Sequence, residues 1–115
     1  MVVGFVDDLM DRSRISAAVP EARFVRSVAA MRTLIGNAED LAGDTHVVVV
    51  VDLAKYAGTV DAIRVAVADI DELVVLVGFA PHVDEIARDT TIAGADRVMP
   101  RSRFFHDVGA AIGYC

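Results

Sequence analysis

Five consecutive valines at residues 47–51 constrain the fold more than any other feature of this chain, and they end at a charged residue, Asp52. An unbroken run of β-branched residues predicts a strand that is buried on both faces of its sheet. Two other near-continuous apolar runs, residues 2–6 and 73–77, have the same character. Helices must pack on each side to cover such a sheet, so these runs predict a three-layer α/β sandwich.

Helical periodicity fills the segments between the strands. Apolar residues spaced three and four apart over residues 60–70, after Thr59 as an N-cap, predict one helix. Another is predicted from Pro81 to a stop at Gly94, and a last one from a Ser102 cap through residue 112. The less distinct elements are helices over residues 9–19 and 28–35, strands over 22–26 and 96–99, and a loop over 36–44. Strands and helices that alternate in this way predict a parallel sheet with right-handed crossovers.

Length and composition limit the class of protein. The 115 residues predict a single domain, residues 1–115, since no linker or repeat interrupts the pattern. No stretch approaches the roughly 18 apolar residues of a membrane span, so we expect a cytoplasmic protein without a membrane partner. The net charge of −6 disfavours nucleic acid as a partner, because such binding needs basic groups. The one cysteine, Cys115, excludes an internal disulfide and a cysteine-based metal cluster.

Acidic residues follow the two strands that we expect at the centre of the sheet. Asp7 and Asp8 come after the first strand, and Asp52 ends the third. Functional clefts in parallel sheets lie at the carboxyl ends of the strands, so the three carboxylates converge there if these strands are neighbours. Such carboxylates repel one another unless a cation or raised pKa values relieve the charge, and Mg²⁺ prefers oxygen ligands. The sequence therefore predicts Asp7, Asp8 and Asp52 as metal ligands, with Asp8 equally well explained as a helix cap.

These segments resemble response-regulator receiver domains over nearly the whole chain. The stretch VDDLMDRSRI, residues 6–15, is similar to the receiver opening, with an acidic pair after the first strand. AGADRVMP, residues 93–100, resembles the turn that leads to the fifth strand and the proline after it. The resemblance implies a five-stranded parallel sheet in the order 2-1-3-4-5, the flavodoxin-like receiver topology. It also implies that Asp52 is the phosphoacceptor and attacks a phosphoryl donor beside Mg²⁺.

The chain departs from the receiver pattern at two positions. Receivers place a lysine at the end of strand five, where this chain has Met99, and a serine or threonine at the end of strand four, where it has Gly78 and Phe79. The hydroxyl that reports phosphorylation in the family and one phosphoryl ligand are both lost. Receiver chemistry needs groups placed within about half an ångström, so a degenerate receiver, or pseudo-receiver, is the favoured interpretation.

Three cationic residues are candidates to compensate for the missing lysine. Lys55, the one lysine of the chain, lies three residues after Asp52 and in a different loop from the family's lysine, yet it could reach over the site. Arg101 and Arg103 follow Pro100, and a guanidinium can bind phosphate oxygens, although both begin a helix where they could face solvent.

We therefore expect a stand-alone receiver-like signalling domain of a bacterial two-component or phosphorelay type system. It would act through protein contacts, with phosphorylation of Asp52 reduced or absent, and would not be an enzyme. Its partner would be a histidine kinase or a downstream signalling protein, or a second copy. The second copy would bind through the face of helix 4, strand 5 and helix 5, which are the predicted helix from Pro81 to Gly94, the strand over residues 96–99 and the last helix. That face carries mixed charges, which are Asp84, Glu85, Arg88, Asp89, Asp96, Arg97, Arg101 and Arg103.

Two alternatives stay open. The first is a working Mg²⁺-dependent phosphoacceptor in which other cations replace the lysine. The second is a flavodoxin-like domain that binds a small ligand in the same cleft. Aspartates at the cleft disfavour the second, because they repel phosphate-bearing cofactors unless a metal is present.

Overall fold

A five-stranded parallel sheet forms the centre of the computed structural model, which describes residues 1–36, 46–81 and 95–113. Its strands lie in the order β2-β1-β3-β4-β5, and all four neighbouring pairs are parallel. The strands are β1 (Val2–Phe5), β2 (Arg23–Phe24), β3 (Val47–Asp52), β4 (Val74–Ala80) and β5 (Arg97–Pro100). The predicted flavodoxin-like topology is confirmed.

Helices cover both faces of the sheet. In the described part of the chain they are α1 (Leu9–Ala18), α2 (Val28–Ile35), α3 (Leu53–Tyr56), α4 (Val60–Ala66), α5 (Arg101–His106) and α6 (Val108–Ile112), with 3₁₀ turns at Ala57–Thr59 and Ala68–Leu73. One core lies between the sheet and α2, α3 and α4, and the other lies between the sheet and α1, α5 and α6. No helix among these residues is long and apolar enough to cross a membrane.

The valine run explains why β3 occupies the middle of the sandwich. Val47, Val49 and Val51 point into the core under α2 and α4, while Val48 and Val50 point into the core under α1 and α5. All five side chains are buried, so alternation between the two faces leaves no polar position in the strand. Burial of each valine stabilises the fold by about 1.5–3 kcal/mol before chain entropy is subtracted. The run therefore holds Asp52, its last residue, on a rigid strand.

Several predicted boundaries need correction. Thr59 makes no capping hydrogen bond, because its backbone is already helical in the preceding 3₁₀ turn, and the helix predicted over residues 60–70 ends at Ala66. The last helix begins at Arg101 instead of being capped by Ser102, and it breaks at Asp107. There the Asp107 carboxylate accepts a hydrogen bond from the Ala110 amide and caps α6, as short acidic side chains do when they compete with a continuing helix.

Two strand and helix ends differ in a simpler way. β4 continues to Ala80, beyond the predicted end, because its pairing with β3 runs on to Phe79 and its pairing with β5 runs on to Ala80. α1 ends at Ala18, before Pro20. The predicted loop beyond Gly36 and the helix predicted after Pro81 lie outside the described residues.

Candidate functional site

The carboxyl ends of β1 and β3 lie side by side and carry the acidic residues. Phe5 pairs with Val51 in this register, so the residues that follow Phe5 leave the sheet at the same edge as Asp52. Burial raises the pKa of Asp52 above its ordinary value, and the negative charges of Asp11 and Asp7 add to the rise. We call the carboxylates of Asp7, Asp8, Asp11 and Asp52 the acidic edge.

Both oxygens of Asp7 are engaged by side chains of α3. The Tyr56 hydroxyl donates to Oδ1 over 2.6 Å, and the Lys55 ammonium lies 3.0 Å from Oδ2. The guanidinium groups of Arg12 and Arg26 each lie 3.9 Å from Oδ1. The hydrogen bond from Tyr56, followed by that from Lys55, holds the pKa of Asp7 below its ordinary value. Asp7 is therefore an ionised group that the chain has already paired.

The short helix α3 delivers Lys55 and Tyr56 to that position. Asp52 Oδ1 accepts a hydrogen bond from the Ala54 amide over 3.1 Å and so turns the chain directly out of β3. Leu53 is buried against Gly78 of β4, where a Cβ would lie 2.6 Å from the leucine Cδ1. Since only glycine leaves this space, the helix can lie close to the sheet.

An aromatic contact with β1 positions the ring of Tyr56. Tyr56 packs edge-on against Phe5, with ring centroids 5.5 Å apart, so its hydroxyl is aimed at Asp7 by an apolar contact with β1. The sequence analysis missed Tyr56, and it placed Lys55 in a loop. The structure places Lys55 in α3 and pairs its ammonium with Asp7.

Asp8 caps α1. Its Oδ1 accepts hydrogen bonds from the amides of Met10 and Asp11, at 2.9 and 3.0 Å, in the usual geometry of a helix N-cap. Of the two explanations that the sequence left open for Asp8, the structure shows the cap. One of its oxygens is thereby committed to the backbone.

Asp52 is half-buried and lies beside charges of both signs. Burial raises the pKa of Asp52 above its ordinary value, repulsion from Asp11 and Asp7 adds to the rise, and the Ala54 amide and the Arg101 charge oppose it. Among the described residues, no hydrogen bond reaches its Oδ2 atom. Asp52 is therefore the least paired carboxylate of the acidic edge.

A buried ion pair that the sequence analysis missed connects α1 with α5. Asp11 is 1% exposed, and Arg101 binds it with both guanidinium nitrogens, one of them 2.6 Å from Oδ2. The guanidinium also lies over the ring of Phe105, 4.9 Å from its centroid. The sequence does indicate that Asp11 is buried, because it lies four residues before the apolar Ile15 and so on the same face of α1.

The two arginines that follow Pro100 therefore differ. Arg101 turns to the acidic edge and pairs with Asp11, whereas Arg103 is exposed. Arg101 thus belongs to the site more than to the proposed contact face. On that face, Asp96 binds Arg64 over 2.5 Å and Arg97 donates to the Ala111 carbonyl. Asp84, Glu85, Arg88 and Asp89 lie outside the described residues.

Positive and negative groups are balanced at the acidic edge. Within the described part of the chain, its four carboxylates face four cationic groups, which are Arg12, Arg26, Lys55 and Arg101. Among the described residues, no group of three or more histidine, cysteine, aspartate or glutamate side chains is arranged to hold a metal ion. Asp7 and Asp8 have oxygens committed to other donors, so the residues as arranged do not fit the predicted Mg²⁺ ion.

Comparisons with protein-family models, curated proteins and solved structures found no match to this chain. The strand order of the sheet shows the fold alone, and the resemblance of the quoted motifs to receiver domains stays a prediction from the sequence.

Proposed function

We propose that this chain is a receiver-like signalling domain of a two-component or phosphorelay type system, which acts through protein contacts with phosphorylation of Asp52 reduced or absent. The observation that carries the proposal is the engagement of both Asp7 oxygens by Lys55 and Tyr56. Attack of a carboxylate on a phosphoryl group needs a cation that bridges the two anions. The carboxylate that would hold such an ion is already paired within the chain.

Arg101 does not supply the missing function. Its charge opposes the rise that burial causes in the pKa of Asp52, but its two terminal nitrogens point to Asp11. Bidentate pairing with a buried carboxylate leaves little freedom to follow a phosphoryl oxygen, because the fork is held in one plane. The site therefore keeps the acceptor residue and lacks free groups, among those described, to stabilise the transferred phosphoryl group.

Exposed apolar residues beside the acidic edge support a function in protein contact. Leu9 and Met10, the first residues of α1, are 77% and 66% exposed and lie next to the Asp8 cap. Large apolar side chains side by side on a surface favour contact with another protein. A histidine kinase or a downstream signalling protein is the proposed partner, and a second copy bound at the β5 and α5 face is the other.

Chemical labelling tests the proposal. The chain would be incubated with acetyl phosphate and Mg²⁺, or with beryllofluoride and Mg²⁺, and its adduct measured by intact-mass spectrometry or ¹⁹F NMR. We expect no stoichiometric adduct in the wild type, and Asp52→Asn would serve as the background control.

A working phosphoacceptor is the second candidate, and it is favoured by Asp52 Oδ2, which accepts no hydrogen bond from the residues that the structure describes. Stoichiometric labelling of the wild type that Asp52→Asn abolishes would establish this alternative and refute the degenerate reading. The same labelling in both proteins would mean reaction at another residue, and the proposal would stand.

A further inference from the structure

We propose that the Lys55 ammonium takes the place of a divalent cation at the acidic edge, so that the wild-type chain folds without Mg²⁺ and binds no divalent ion there. This inference goes beyond the proposed function, because it concerns what neutralises the carboxylates and not whether Asp52 is phosphorylated.

The first support is the position of the ammonium. Lys55 Nζ lies 3.0 Å from Asp7 Oδ2, and the other oxygen of that carboxylate accepts from Tyr56 over 2.6 Å. A divalent ion would have to displace one of these donors to obtain a ligand. Mg²⁺ is a poor competitor for such an oxygen, since it sheds its own waters reluctantly and demands near-octahedral geometry.

The second support is the cation in contact with Asp7. Among the described residues, the Lys55 ammonium lies 3.0 Å from Asp7, closer than the guanidinium groups of Arg12 and Arg26 at 3.9 Å, so a divalent ion at Asp7 would place a double charge directly beside Lys55. Like charges at such separations repel strongly where water is partly excluded. In this arrangement the lysine removes the reason for an ion to bind.

The third support is that the fold positions Lys55. α3 begins immediately after β3, its first residue Leu53 is buried against Gly78, and Tyr56 is packed against Phe5. The residue between these two anchors is brought to Asp7 by the helix, although its own side chain is 62% exposed. Removal of the lysine should therefore leave α3 and the carboxylates in place.

The test compares the wild type with Lys55→Ala, and uses Mn²⁺ as a probe whose free ion is counted by electron paramagnetic resonance. Mg²⁺ at constant ionic strength would be added in parallel thermal melts. We expect the wild type to bind no Mn²⁺ and to keep its Tm in Mg²⁺. We expect Lys55→Ala to bind Mn²⁺ with a Kd at least about tenfold below that of the weakest binding that the assay detects, and to gain Tm in Mg²⁺.

Three control variants locate the effect. Arg26→Ala also removes one positive charge near Asp7, but its 76% exposed side chain lies 3.9 Å away, so we expect it to behave as the wild type. Lys55→Arg keeps the charge and should also bind no Mn²⁺. The double variant Lys55→Ala with Asp7→Asn should lose the binding that the single variant gains, and circular dichroism would verify that each variant folds.

The outcomes separate this inference from the proposed function. Mn²⁺ binding by the wild type that Asp7→Asn abolishes, or a Lys55→Ala variant that binds no better than Arg26→Ala, would overturn the role of Lys55. Labelling of Asp52 in the absence of any divalent ion would instead overturn the proposed function and leave this inference intact.

Discussion

The pair of Asp11 with Arg101 should be the most important polar contact for the stability of the described fold, and replacement of Arg101 by alanine tests this. The pair joins residues 90 positions apart and ties α1 to α5. Removal of one partner from a fully buried ion pair costs about 3–5 kcal/mol, because the other charge is left buried without compensation. Asp11 meets that condition, since its side chain is 2% exposed.

The expected loss in the free energy of unfolding is smaller than this range, because Arg101 is partly exposed to solvent. Arg101 is 36% exposed, so water can partly replace its guanidinium beside Asp11, and the electrostatic loss falls below the range for a fully buried pair. Loss of the contact with the Phe105 ring, 4.9 Å away, adds about 0.5–1 kcal/mol. We therefore expect Arg101→Ala to lower the free energy of unfolding by about 2–3 kcal/mol. For a domain of this size, that corresponds to a fall in Tm of roughly 10 °C.

Urea denaturation followed by far-UV circular dichroism would measure the loss. Arg103→Ala is the matched control, because this exposed arginine lies two residues further along α5 and should change stability by less than about 0.5 kcal/mol. A double-mutant cycle with Asp11→Asn should give a coupling energy above about 1 kcal/mol. Equal effects of Arg101→Ala and Arg103→Ala, or a coupling energy near zero, would refute the assignment of the pair as a stabilising contact.

Three further predictions concern the groups around the acidic edge. Burial raises the pKa of Asp52, so the protonated carboxyl favours the folded state. This contribution is present below the unfolded pKa of about 4 and is lost as pH rises through the folded value. Asp52→Asn should therefore stabilise the fold by about 0.5 kcal/mol at pH 7, and this gain should shrink in acid. Tyr56→Phe removes the contact that most lowers the pKa of Asp7, and should cost about 1 kcal/mol at pH 7. Because that contribution is present above the unfolded pKa of Asp7 and is lost as pH falls through the folded value, the cost should disappear in acid. Gly78→Ala should cost about 1–3 kcal/mol and shift the NMR resonances of Tyr56, because its Cβ would meet Leu53 and push α3 from the sheet. Urea titrations at several pH values measure all three free energies.

Controls distinguish each of these effects from a general one. Asp61→Asn changes an exposed acid of α4 and should leave stability nearly unchanged, so an equal gain there would contradict the assignment of the effect to Asp52. A cost of Tyr56→Phe that persists unchanged in acid would show that packing, and not the bond to Asp7, was lost. Gly4→Ala, in β1, places a Cβ 2.9 Å from the Phe24 ring of β2, and it should destabilise the fold without moving α3.

The sequence predicted the fold where a local pattern has one physical explanation. The alternation of the valines between two cores requires helices on both faces, and that follows from the run itself. The predicted helix Val28–Ile35 has the same bounds in the structure, since Ser27 accepts a hydrogen bond from the Ala30 amide and Gly36 ends it with a φ of 80°. Thr59 was wrong as a cap, because a 3₁₀ turn had already brought its backbone into helical geometry.

The candidate site was predictable only in part. The acidic residues could be placed from the strand ends alone, and the structure brings Asp7 and Asp52 to one edge. Their partners could not be derived from local sequence, because they come from other elements of the fold. Tyr56 and Asp7 are separated by 49 residues, and which donor reaches a carboxylate depends on how closely α3 approaches the sheet. That approach depends in turn on the absence of a side chain at Gly78.

Asp7, which the sequence predicts as a metal ligand, is paired with cationic side chains in the structure, and so is the buried Asp11. A side chain that the fold holds nearby is always present, whereas an ion must be bound from solution and partly dehydrated. The two halves of the acidic edge then differ in strength. Asp7 is paired by Tyr56, Lys55, Arg12 and Arg26, and the side chains of Lys55 and Arg26 are 62% and 76% exposed, so these two ion pairs add little to the free energy of unfolding. Asp11 is paired inside the protein and anchors α5. Loss of the Lys55 or Arg26 pair should therefore change the charge of the acidic edge at little cost in stability, whereas loss of the buried pair should destabilise the sandwich.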